Sequence, residues 1–184
     1  MKRITDRYGA VTQALHWCRV ILVLVAFIFG PGGSEQRIYA AARDFDRQLH
    51  ETLGLSVLLL TVLSVLWRFA ANRPAPAPGP RWMGIAAKAV QAGLYVLLFA
   101  VPFTAIGGAW LEGHPLTLLS RIEIAPPIAK AHDLGAALAS IHGWLGDAIL
   151  WLAGLHAAAA LYHHYALKDG VLDSMLPNWM HLPR

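Results

Sequence analysis

Four long apolar runs, about Val11–Phe29, Leu49–Phe69, Ile85–Trp110 and Ile141–Ala166, alternate with shorter polar connections along the chain. Each run is long enough to cross about 30 Å of hydrocarbon as a helix, and only helices and closed barrels satisfy their own backbone polar groups in lipid. No alternation of in and out positions over ten-residue segments is visible, which argues against a barrel. The pattern predicts an all-α, integral membrane four-helix bundle, a single membrane domain over residues 1–184. The first connection, GPGGSEQRIYAAARDFDRQ, breaks and then turns amphipathic, and the second, ANRPAPAPGPRW, is too proline-rich to continue a helix. The third, EGHPLTLLSRIEIAPPIAKAHDLGAALAS, is the longest and predicts a short interfacial helix over Ala129–Ala139.

Composition agrees with this reading. The chain has 184 residues, 57% hydrophobic and 14% charged, against roughly 45–50% and about 25% for a soluble domain. Its net charge of +4 reports orientation rather than a basic partner such as nucleic acid. Ten basic residues (Lys2, Arg3, Arg7, Arg19, Arg68, Arg73, Arg81, Lys88, Lys168, Arg184) fall on one side and five (Arg37, Arg43, Arg47, Arg121, Lys130) on the other. By the positive-inside rule both termini are expected in the cytoplasm. Asp6, Asp169 and Asp173 share the basic side; the other eight acidic residues lie on or near the opposite one. The basic start and apolar stretch superficially resemble a secretory signal, but Arg19 and His16 interrupt it, which predicts a retained first span. A single cysteine, Cys18, excludes an internal disulfide, a four-thiolate iron–sulfur cluster and a CxxCH haem attachment.

Ionisable residues inside spans are costly and usually face a bundle interior. His16 lies near the cytoplasmic start of the first span, His50 near the outer start of the second, and His142 and His156 share the fourth. Fourteen residues separate the last two, which is roughly 21 Å along a helix and within about 40° of the same direction. Depth pairs His50 with His142 at the outer level and His16 with His156 at the inner one. Two stacked bis-His pairs are what two six-coordinate b-type haems need. A transition metal is the rival ligand, although a transporter would offer midplane carboxylates or broken helices. Small residues stand where a flat macrocycle would need room: Gly54 and Ser56, Gly143 and Gly146, Gly154 and Ala157 to Ala160. Pro102, Gly107 and Gly108 read as a kink in a packing helix, and the third span, without His, as a wall.

Arginine can pair with haem propionates near the interface. Arg43 and Arg47 precede His50 on one helix face if that helix extends outward. Arg68 returns to that face at the cytoplasmic end, and Arg19 can reach the same end. His114, His132 and His181 read as surface residues. His163, seven residues past His156, reads first as a snorkelling interfacial side chain; together with Trp17 it is also a candidate quinone contact.

These residues resemble the four-helix bacterial cytochrome b561 family, especially its superoxide oxidase type, over essentially the whole chain. The resemblance rests on His16-Trp17, on His50 opening the second span, and on His142 followed by Gly154-Leu155-His156-Ala157-Ala158-Ala159-Ala160-Leu161-Tyr162-His163-His164-Tyr165. Lys168-Asp169 and the Arg-Pro-Ala-Pro-Ala-Pro connector add to it. The chain departs from the family at Ser64, where members often carry an Arg four residues before the position of Arg68. The resemblance implies two non-covalent b haems on the four His. It also implies a bacterial inner-membrane location and electron transfer from a periplasmic donor, superoxide in the characterised type, to ubiquinone. Two alternatives stay open: a cytochrome b subunit serving a separate dehydrogenase or periplasmic redox protein, and a non-redox metal-binding or structural membrane bundle.

Overall fold

A computed structural model describes residues 7–71, 79–119, 122–177 and 179–180. Lys2, Arg3, Asp6, Arg73, Arg121, His181 and Arg184, used above for orientation or as surface residues, lie outside them, as does most of the proline-rich connector. Helix α1 runs over Ala10–Ile28, the single turn α2 over Glu35–Ile38, α3 over Asp44–Ala70, α4 over Arg81–Leu111, α5 over His132–Tyr162 and α6 over Val171–Met175. A two-stranded antiparallel hairpin, β1 (Leu116–Thr117) with β2 (Glu123–Ile124), sits between α4 and α5 with Leu116 opposite Ile124.

The long helices α1, α3, α4 and α5 are each long and apolar enough to cross a membrane. Much of their apolar surface points outward: Phe69, Trp151 and Trp144 are among the most exposed large side chains. In water such surface would be a severe liability; in lipid it is the solvated face. Hydroxyls within the apolar α3 bond back one turn, Ser56 Oγ to Thr52 O, Thr61 Oγ1 to Val57 O and Ser64 Oγ to Leu60 O, so none is left unsatisfied.

Two boundaries differ from expectation. The predicted interfacial helix over Ala129–Ala139 is instead the first two turns of α5, which starts at His132 and continues without a break into the fourth span. Nothing between His132 and Ile141 stops a helix, so the pattern simply propagates. Helix α3 likewise starts at Asp44, five residues before its apolar run, because Arg47 pairs with Asp44 and Glu51 along its first turns.

Packing divides the bundle into two halves. Helix α1 packs on α3 and α4 on α5, with fewer close approaches between α3 and α4 and few between α5 and either α1 or α3. Gly108 permits the α4–α5 approach: a Cβ there would stand 3.2 Å from Ala139 N. At mid-height, buried Val57, Leu98 and Ile149 pack with Leu22, Val23, Leu94, Leu97 and Val101, joining all four long helices in one apolar layer.

At the face carrying the start of α1, the near face, α6 docks against α1. Gln13 Nε2 donates to Ser174 O and Leu176 O, Trp17 Nε1 to Met175 O at 2.8 Å, and Tyr8 N to Ser174 O. Those carbonyls end a helix and lack intrahelical partners, so side chains of α1 supply the missing donors. A π-helical turn over His163–Leu167, a left-handed Lys168 (φ 53°) and Gly170 (φ 86°) turn the chain back into α6.

Candidate functional site

Two His pairs span the gap between α5 and the α1–α3 half. At the far face, the rings of His50 (α3) and His142 (α5) have centroids 5.9 Å apart; at the near face, those of His16 (α1) and His156 (α5) are 6.5 Å apart. The mid-height apolar layer lies between the two levels. Imidazoles binding one ion from opposite sides, at about 2 Å each, would have centroids about 6 Å apart, counting about 1.1 Å from centroid to nitrogen. Both pairs match that span. Direct ring packing does not account for it alone, because the helices carrying the rings approach each other so little.

Backbone carbonyls orient the far pair. His50 Nδ1 is 2.7 Å from Ala26 O and His142 Nδ1 is 2.9 Å from Val101 O. A carbonyl only accepts, so each Nδ1 carries the proton and each Nε2 keeps its lone pair for a metal. Ala26 lies in the last turn of α1, where carbonyls are short of helical donors. Half-buried Gly54 and Gly146 follow these His by one turn, and a Cβ on either would meet nothing within 4 Å. Gly143 and Gly154, grouped with them from sequence, are exposed and make no such room inside the bundle.

The near pair is set differently. His16 lies edge-on to Trp17, with centroids 5.1 Å apart, and neither His16 nor His156 hydrogen-bonds through its ring to a described residue. Arg19 and Arg68 converge on Tyr95, with guanidinium carbons 5.5 and 5.9 Å from the ring centroid. Arg19 Nη1 is buried without a hydrogen-bond partner among the described residues, an opening for an anionic acceptor such as a propionate. At the far face, Arg43 pairs with Asp46, and Arg47 with Asp44 and Glu51 at 3.0 Å each, so these cations already face carboxylates. Glu51 Oε2 also accepts from Thr117 N, tying the hairpin beside His50.

The expectation that His163 snorkels to the interface does not hold. His163 Nδ1 donates to Asp169 Oδ2 at 2.5 Å, Asp169 is fully buried, and His164 is 1% exposed. The π-helical turn and left-handed Lys168 fold the chain end back over these side chains, a bend that hydropathy cannot announce. His114 is no plain surface residue either: it stacks on Tyr39 with centroids 3.6 Å apart and bonds Glu35 at 2.7 Å. That bond holds the Glu35 carboxyl below its ordinary range, while burial, with Glu51 nearby, pushes the Tyr39 hydroxyl up to about 12.

The family model of the prokaryotic cytochrome b561 matches residues 7–178. The chain belongs to that family. It is similar to "Cytochrome b561 homolog 2" of Escherichia coli, 29% identical over 172 residues covering 93% of this chain and 92% of that protein. It also resembles "Probable superoxide oxidase CybB" of Yersinia pestis, 28% identical with 93% and 96% covered. "Cytochrome b562" of Cereibacter sphaeroides is 32% identical, with 92% and 94% covered. The chain is thus a multi-pass bacterial membrane cytochrome of the b561 type, a redox protein for which the family implies b-type haem.

Proposed function

We propose that this b561-family chain holds two b haems and carries electrons across the inner membrane from superoxide on the periplasmic side to ubiquinone. The observation that carries this reading is the pair of His–His spans, 5.9 and 6.5 Å, on opposite sides of an apolar layer. In it, His50 and His142 hold the outer group, and His16 and His156 the inner one. Haem, when bound, supplies one-electron carrier chemistry. Held by two imidazoles each, the haem irons would have no open position for dioxygen, which would confine the chemistry to electron transfer.

The balance is two superoxide ions losing one electron each to give two dioxygen, and one ubiquinone taking two electrons and two protons to give ubiquinol. Protons must therefore reach the quinone. His163, with Nδ1–H held by buried Asp169, has the other ring nitrogen to receive or deliver one. An apolar cleft of about 430 Å3 between α1 and α3, lined by Val11, Leu15, Leu63, Leu66, Trp67 and Ala70, suits an isoprenoid tail at the same face. Trp17 spends its N–H on Met175 O, which leaves only its ring face for a quinone contact. Arg19 and Arg68 offer charge to the inner propionates; Arg43 and Arg47, shared with carboxylates, are the outer counterparts. The cationic inner surplus supports cytoplasmic termini.

The name of the Yersinia relative supports superoxide as donor. Stopped-flow mixing of superoxide with the oxidised protein tests it: the Soret and α bands should shift to the reduced form faster than superoxide decays in detergent alone. An unchanged oxidised spectrum removes this donor. A second reading, electron exchange with a periplasmic redox protein or a separate dehydrogenase, draws on the far face itself. There Arg43 and Arg47 are neutralised by Asp44, Asp46 and Glu51, which weakens anion steering and suits a basic protein surface. A stoichiometric partner after mild detergent purification would favour it.

A further inference from the structure

We propose that Glu35, Glu112 and His132 form a divalent transition-metal site at the far face, separate from the His pairs and clamping the two halves of the bundle together. One ligand atom from each of the three lies within 4.8 Å of the others. His132 Nδ1 stands 2.7 Å from Glu112 Oε2, and His114 Nε2 holds Glu35 Oε1 at 2.7 Å, the arrangement by which a neighbouring imidazole aims a ligating carboxylate.

Glu112 is the unusual member. Its side chain is only 8% exposed, and while Oε2 faces His132, Oε1 is buried with no hydrogen-bond partner among the described residues. It also caps the C-terminus of α4, where the helix dipole disfavours a negative charge. Gly135 makes room for it: a Cβ there would stand 2.8 Å from Oε1. A buried carboxylate with an unfilled acceptor beside a second carboxylate and an imidazole calls for a cation. Lys130 is the nearby lysine, and its charge acts on Glu35; with it the cluster still sums to one negative charge when the imidazoles are neutral. One nitrogen and two oxygen ligands suit zinc or manganese, with water completing the coordination.

Position gives the site its consequence. Glu35 belongs to the connection between α1 and α3, whereas Glu112 and His132 end α4 and begin α5. A bound ion would join the two halves, which otherwise share few contacts between α5 and α1 or α3, above the His50–His142 level. His132 is ten residues before His142 on one helix, about 15 Å along its axis.

Equilibrium dialysis of the purified haem-loaded protein against zinc chloride, with zinc and iron counted by mass spectrometry, tests this directly. Glu112→Gln and His132→Gln should each lose one zinc equivalent per chain, or weaken its binding at least about tenfold. Zinc should also raise the temperature of Soret loss in the parent and not in the variants. If Glu112→Gln fails to retain pigment, Glu35→Gln, on a partly exposed side chain, gives the same reading. Zinc binding unaltered by these substitutions, or none above the detergent blank, overturns the proposal.

Discussion

The two His levels are built by different means. At the far level, His50 and His142 are each fixed through Nδ1 by a backbone carbonyl, at 2.7 and 2.9 Å, and half-buried glycines leave room beside them. At the near level, His16 and His156 have no such tether among the described residues, but the Trp17 indole lies edge-on to His16, and Arg19, three residues on, has a buried Nη1 without a hydrogen-bond partner among them. The far level presets its ligands by the backbone. The near level presents charge and leaves ring orientation to whatever bridges the rings. Preset imidazoles lose less freedom on ligation, so the far site should fill at lower haem supply.

Removing a ligand should break the comparison most completely. His142→Ala or His50→Ala should take one of two haems and leave the other, read as half the parent's pyridine haemochrome per chain. His156→Ala should do the same at the other level, with a different component of the α band lost. Loss of the same component in both cases would show that the levels are not independent.

Filling space comes next. Gly146→Leu or Gly54→Leu should lower far-level haem occupancy severalfold, whereas Gly143→Leu, on an exposed position, should leave haem content unchanged. Equal effects would mean that the open space beside His50 and His142 is not the cofactor's.

A smaller effect sharpens the charge side of the contrast. Arg19→Gln should lower the reduction potential of the near-level haem by roughly 60 mV, one tenfold step in a one-electron equilibrium, and leave the far level where it was. Redox titration of both α-band components distinguishes the two.

The smallest effect concerns the far rim. Because His114 depresses the Glu35 carboxyl, their contact contributes fully above the ordinary value of 4.5 and is lost as pH falls through the lower folded value. Corrected for the intrinsic pH dependence of amide exchange, the protection of α2, Glu35–Ile38, relative to α3 should therefore fall as pH drops below about 4.5.

What could be read in advance was what repeats locally. Apolar length gave the four spans, and a 1.5 Å rise per residue gave the depths that bring His50 to His142 and His16 to His156. Helix ends were less legible, since ion pairs such as Arg47 with Asp44 and Glu51 extend α3 beyond its apolar run. Non-local arrangements were not legible at all. Asp169 reaches His163 only because a π-helical turn and a left-handed lysine reverse the chain, and Glu35 comes from a different connection than Glu112 and His132. One sequence signal for the latter existed: a Glu and a His at the two ends of the connection between α4 and α5, where the helices themselves bring them together.

The central claim is that each His pair holds one b haem. Pyridine haemochrome quantification on the purified chain, set beside a dithionite-reduced minus oxidised spectrum, tests it most directly. Two haems per chain with a split α band are predicted. One haem per chain, or pigment that survives loss of both His142 and His156, would contradict it.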